Sequence, residues 1–145
     1  MNASIRPGDG IDGVVLGRAR AEVVQAMGEP LSVRRDAETE ILYYPGIEVF
    51  LSDGLVGMIV ADLSFSGSTP DGTHTGMSWS DLTRTLGSLR WDEEQDLWQA
   101  VDGSRVWYRV VRPLTEFEEP LDPPYVPERY GVHDPEAFVG DIFVM

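Results

Sequence analysis

The chain contains no cysteine, so it has no disulfide framework and no thiolate chemistry. It also contains no lysine; all eleven basic residues are arginine. That removes the lysine of a phosphate-binding loop, and no Gly-Lys-Ser/Thr sequence occurs. Histidine is limited to His74 and His133, and neither has a second His or Cys at metal-ligand spacing. Long apolar runs are missing as well; none approaches the ~20 residues that span a bilayer as a helix. Met1–Gly10 shows no apolar run and no small-residue cleavage pattern, which predicts no signal peptide. A cytoplasmic protein without membrane contact is the expectation.

What is present in excess is acid. Twenty-five acidic residues against eleven arginines give a net charge of −14. Phosphate backbones require a basic footprint, so direct binding to a nucleic-acid backbone is disfavoured and no nucleic-acid partner is expected. An acidic surface steers basic protein partners instead. A length of 145 residues is enough for one ordinary domain with a core of its own.

Two stretches of the chain align with each other. Gly17-Arg-Ala-Arg-Ala-Glu22-Val23-Val-Gln-Ala-Met27-Gly28 matches Gly76-Met-Ser-Trp-Ser-Asp81-Leu82-Thr-Arg-Thr-Leu86-Gly87 in both glycines, the acid and two apolar positions. Farther on, Leu55-Val56-Gly57-Met58-Ile59 matches Phe138-Val139-Gly140-Asp141-Ile142. Ser78 is a helix N-cap with Asp81 three residues on, and Trp79, Leu82 and Leu86 share one helical face. In the first copy Ala19, Val23 and Met27 form the stripe, Gly28 ends it and Pro30 blocks continuation. Strand-like runs follow at Leu31–Asp36, Thr39–Tyr44, Ile47–Leu51 and Leu55–Leu63, then at Leu89–Glu93, Asp96–Val101, Arg105–Val111 and Phe138–Met145. Asp53-Gly54 and Asp102-Gly103 are hairpin turns by their composition. The glycine inside each last strand predicts a bend, a bulge or close helix packing.

The fold class that follows is α+β: a tandem repeat of a helical element plus a four-stranded antiparallel meander, forming one curved sheet with helices on one face. The first unit covers 1–63, a Gly/Ser/Thr-rich linker covers 64–76, and the second unit covers 77–145 with an insertion at 112–137. These residues resemble the β-lactamase inhibitor proteins, and also the outer-membrane assembly lipoproteins of the SmpA/OmlA type. The tandem arrangement is closer to the inhibitors. The resemblance implies a concave sheet face that holds a partner protein. The inhibitors are disulfide-bonded and secreted, and the lipoproteins carry a lipid-bearing cysteine. Without cysteine, the resemblance bears on fold and binding mode more than on lactamase inhibition.

The residues offer little chemistry of catalysis. Serines in Ser64-Phe-Ser66-Gly-Ser68 lack a strand–Gly-x-Ser-x-Gly–helix setting. Neighbouring carboxylates such as Glu93-Glu94 and Glu118-Glu119 would point to opposite faces on a strand. No cofactor is expected, and the reading is of a protein that is not an enzyme. The candidate binding residues lie elsewhere. Alternation along Arg105–Val111 turns Val106, Tyr108 and Val110 inward and Arg105, Trp107 and Arg109 outward, and Trp and Arg carry much of the binding energy at interfaces. Trp91, Trp98, Tyr44 and Phe50 are candidates for the same surface. The insertion holds six prolines and seven acids against two arginines, with Glu118, Glu119 and Tyr125 as further contact candidates. The expected function is an acidic protein-binding module of the immunity or antitoxin type, binding a basic protein. The alternatives are a small-molecule or hydrolytic pocket between sheet and insertion, and a structural or assembly adaptor.

Overall fold

The computed structural model describes residues 4–100, 105–111 and 137–145. The Asp102-Gly103 turn, His133, Asp134 and all of the insertion except Ala137 lie outside them.

The chain begins with three two-residue strands, β1 (Ile5–Arg6), β2 (Gly10–Ile11) and β3 (Val14–Val15), which form a small antiparallel sheet. Helix α1 (Arg20–Met27) leads into β4 (Ser32–Asp36), β5 (Thr39–Tyr44), β6 (Ile47–Ser52) and β7 (Leu55–Ala61). Helix α2 (Trp79–Leu86) is followed by β8 (Leu89–Asp92), β9 (Leu97–Ala100), β10 (Val106–Val111) and β11 (Phe138–Val144). The strands β4 to β11 join in one antiparallel sheet ordered β4-β5-β6-β7-β11-β10-β9-β8.

The expectation of an α+β tandem repeat of helix plus four-stranded meander is corrected by this architecture. The described residues are 47% strand and 14% helix, so the protein is predominantly β. Among the described residues it has the eight-stranded sheet, the separate three-stranded sheet and two short helices. The first sheet escaped the sequence reading because each of its strands is two residues long, too short for any periodicity to show. Each helix has eight residues, about two turns, and owes its stability to packing rather than to propensity. The local signals do have local counterparts. Ser78 Oγ accepts from the Asp81 backbone N–H at 3.1 Å, capping α2. Gly28 and Gly87 end their helices at φ +83° and +77°, where a Cβ would be strained. Gly57 and Gly140 are the residues skipped in the register of β7 with β6 and of β11 with β10, so both lie at bulges.

One face of the large sheet carries the main core. A cross-strand row runs Ile47, Ala61, Ile142, Tyr108, Trp98 and Trp91. The next row runs Leu42, Val49, Ile59, Val144 and Val106. Val23 of α1, Trp79 and Leu82 of α2, and Ile5, Ile11 and Val14 of the small sheet complete this cluster. Segment 64–76 is packed down rather than free. Ser68 O accepts from Ile5 N–H at 3.0 Å, and Thr69 and Thr73 are buried with the Tyr108 hydroxyl in a chain of hydrogen bonds of 2.6 and 2.9 Å. Removing the phenol leaves a buried hydroxyl under-satisfied, which costs about 1–2 kcal/mol. Tyr108→Phe is therefore expected to lower stability by that amount in urea unfolding; an unchanged midpoint would mean the hydroxyl chain holds nothing in place.

Candidate functional site

The opposite face of the sheet is defined by a second row, which crosses all eight strands: Ser32, Tyr43, Glu48, Val60, Phe143, Trp107, Gln99 and Arg90. Val60, Leu97 and Phe143 form its buried floor, with Phe50, Met58, Trp107 and Met145 half-buried around them. This cluster is separate from the main core.

Trp107 stands where alternation placed it. Val106, Tyr108 and Val110 are buried in the core, while Trp107 is half-buried and Arg109 exposed on the other side. The indole is held in one orientation, because Trp107 Nε1–H donates to Asp92 Oδ2 at 3.0 Å. Asp92 Oδ1 in turn accepts the backbone N–H groups of Glu94 and Gln95 at 3.0 and 3.2 Å. These bonds, the indole's first, hold the Asp92 carboxyl below its usual pKa.

Arg109 lies with its guanidinium 5.1 Å from the centroid of Phe143 and 3.4 Å from Asp141 Oδ2. Asp141 and Glu48 both have raised pKa values. For Asp141 the cause is burial, added to by Asp62 and opposed by Arg109. For Glu48 it is burial, then the charges of Asp141 and Asp62, again opposed by Arg109. Among the described residues one cation, Arg109, thus acts on these carboxylates, and Glu48 makes no ion pair.

The other sequence candidates are distributed differently. Arg105 immediately precedes β10 and is exposed, with its aliphatic stem against Gly8 and its carbonyl accepting from Gly8 N–H, so it borders the small sheet. Trp98 and Trp91 are on the helix-covered face, not beside Trp107. Trp98 is 4% exposed, with ring centroids 4.9 Å from Trp79 and 5.4 Å from Trp91. The reason is register: Trp98 pairs with core-facing Tyr108, and Trp91 pairs with Trp98. Tyr44 is also inside, donating its hydroxyl to Gly28 O at 2.8 Å, whereas Phe50 joins the Trp107 face. Glu118, Glu119 and Tyr125 lie outside the described residues. Glu48, Asp92, Asp141 and Phe143 were missed. The parity of Asp141, Phe143 and Met145 along the last strand was legible, but its alignment with Trp107 was not.

Among the described residues no group of three His, Cys, Asp or Glu could hold a metal ion. His74 is occupied locally, with Nδ1 2.8 Å from Thr75 O. No helix among the described residues is long and apolar enough to cross a membrane. No protein-family model, curated protein or solved structure matches the chain.

Because Glu48 is destabilised by its surroundings when ionised, folding raises its affinity for a proton. The native state then binds more protons than the unfolded state, and stability falls as pH rises through the interval between the ordinary and the raised pKa. Glu48→Gln removes that penalty. The variant is expected to melt slightly above wild type at neutral pH, by about 1–2 °C, with the difference vanishing in acid where Glu48 is protonated in both states. Differential scanning calorimetry across pH checks this; a variant that melts lower at neutral pH would show that Glu48 is well paired.

Proposed function

We propose that this chain is a non-enzymatic protein-binding module of inhibitory, immunity-like or antitoxin-like type, which receives a basic protein partner on the sheet face opposite its helices. The observation that carries the reading is Trp107, an outward-facing indole locked by Asp92 and set beside Phe143 and Arg109. A rigid aromatic with an adjacent arginine, resting on a packed apolar floor, is the composition of an interface hot spot. A net charge of −14 adds long-range attraction for a basic partner.

The test is affinity capture from native lysate on wild-type and Trp107→Ala chains, followed by mass spectrometry. A basic protein retained by the wild type, lost by the variant and eluted by salt is the expected result, since charges are screened beyond about 8 Å at physiological ionic strength. Retention of the same proteins by both chains would overturn the assignment of the face.

A further inference from the structure

The eight-stranded sheet has two edges, β4 and β8, and they are finished differently. On β8 only Arg90 is exposed, and its guanidinium donates to Gln99 Oε1 at 2.8 Å. On β4 all five residues, Ser32–Asp36, are exposed. Among the described residues its only strand neighbour is β5, and that pairing runs from Ser32 to Asp36 without a bulge or a proline. The outer side of such a strand presents a row of backbone donors and acceptors, a template for another strand. Val33 lies opposite the core residue Leu42 and is 41% exposed, so an apolar cross-strand row runs to this edge and stops there uncovered.

Charges ordinarily guard an edge. On β4 their order makes them self-complementary. Ser32, Arg34 and Asp36 lie on the open face, and Val33 and Arg35 on the helix-covered face. An antiparallel copy of the same strand has to match faces as well, which leaves registers related by a two-fold axis through one residue. Those that overlap most of β4 are centred on Val33, Arg34 or Arg35. Centring on Arg34 sets Arg34 against its own copy. Centring on Val33 sets Arg34 against Ser32 and Asp36 against Pro30. Centring on Arg35 sets Arg34 of each copy opposite Asp36 of the other, two reciprocal ion pairs. The two Arg35 side chains meet on the other face, but each is drawn back onto its own sheet by Glu40 at 2.7 Å, which also holds Arg20 of α1 at 2.9 Å. The stem of each Arg35 is diagonal to Val33 of the other copy, within reach of a long side chain.

We infer that β4 is a self-association edge, on which a second copy of this chain pairs antiparallel about a two-fold axis at Arg35, with Arg34 and Asp36 exchanged across it. The two sheets then continue into one another, and both Trp107 faces lie on the same side. The inference is independent of the binding reading of those faces. One short strand per copy is a small contact beside the ~1,200–2,000 Å² of stable interfaces. Each copy also carries −14, so the dimer is weak and forms at high protein concentration, in salt that screens repulsion beyond about 8 Å.

Sedimentation velocity over a rising concentration series at physiological salt reads the association, and wild type is expected to move from monomer toward dimer. Arg34→Asp and Asp36→Arg each turn both ion pairs into like-charge contacts, and each alone should weaken the dimer about tenfold. The two substitutions move the net charge in opposite directions, so a general charge effect cannot weaken both. An equimolar mixture of the two variants should associate at least as well as wild type, because positions 34 and 36 are then both acidic in one chain and both basic in the other. Arg35→Cys, the only thiol in its chain, should oxidise to a covalent dimer faster than Val33→Cys, because residues on the axis face each other within disulfide range. A wild type that stays monomeric at millimolar concentration, a mixture no better than either variant alone, or faster cross-linking through Val33→Cys overturns the proposal.

Discussion

Trp107→Ala is expected to weaken partner binding tenfold or more, an effect of at least about 1.4 kcal/mol, while the protein stays folded. The indole contributes in two ways. It presents a broad apolar surface beside Phe143, and its orientation is set before binding by the bond to Asp92, so little rotamer freedom is lost on association. Truncation also uncovers part of Leu97 and frees Asp92, so a modest loss of stability is expected. It remains well below the ~3–5 kcal/mol of a fully buried tryptophan, because Trp107 is only half-buried. Isothermal titration with the captured partner and a thermal melt in parallel separate the two effects. The double variant Glu118→Ala, Glu119→Ala, in the acidic stretch outside the described residues, should act mainly on association rate. Normal binding by Trp107→Ala with failure of the double variant would move the contact from the sheet face to that stretch.

Ile142→Ala is expected to cost about 2–5 kcal/mol, the largest effect on stability considered. Ile142 is fully buried on β11, opposite Ala61 of β7 and Tyr108 of β10. Three residue pairs, Ile59 with Val144, Val60 with Phe143 and Ala61 with Ile142, join β7 to β11 and so connect the two halves of the sheet. The core on the helix side of this seam is one cluster drawn from both halves. Loss of Ile142 should therefore lower the midpoint of a single cooperative transition rather than release one half. All four tryptophans, Trp79, Trp91, Trp98 and Trp107, lie in the second half, while far-UV circular dichroism reports on both. Coincident urea transitions by fluorescence and dichroism are the expected result. Two separated transitions would mean that the halves fold independently.

Several features were legible in the residues alone. Seven strands of the large sheet were placed to within two residues at each end, because alternation and Gly- or Asp-bearing turns are local signals. The eighth, β9 (Leu97–Ala100), falls inside its expected run, whose last residue lies outside the described ones. Asp53-Gly54 has both residues at positive φ, as the hairpin turn requires. Inward and outward residues of Val106–Val111 followed from period two. The small sheet was not legible, since two-residue strands are held by neighbours and not by pattern: Ile5 N–H reaches Ser68 O, and Gly8 N–H reaches Arg105 O. Segment 64–76 had the composition of a linker, and only the burial of Thr69 and Thr73 under Tyr108 shows that it is bound to the core.

The sequence by itself determined the acidity, the absence of thiol and lysine chemistry, the strand positions, the cap at Ser78 and the two sides of each strand. These depend on residue type and on neighbours within a few positions. Only the tertiary structure decided which side of one strand shares a face with which side of another. Trp107 pairs with Phe143 of a strand more than thirty residues on, and Trp98 with Tyr108 of the neighbouring strand β10, through registers that only the assembled sheet sets, with bulges at Gly57 and Gly140. A shift of one residue in pairing exchanges the two faces of a strand, so no single strand encodes its partners' alignment. That is why three tryptophans that looked alike in the sequence divided, with Trp98 buried and Trp91 half-buried on the helix-covered face, and Trp107 half-buried on the opposite face with Arg109 and Phe143.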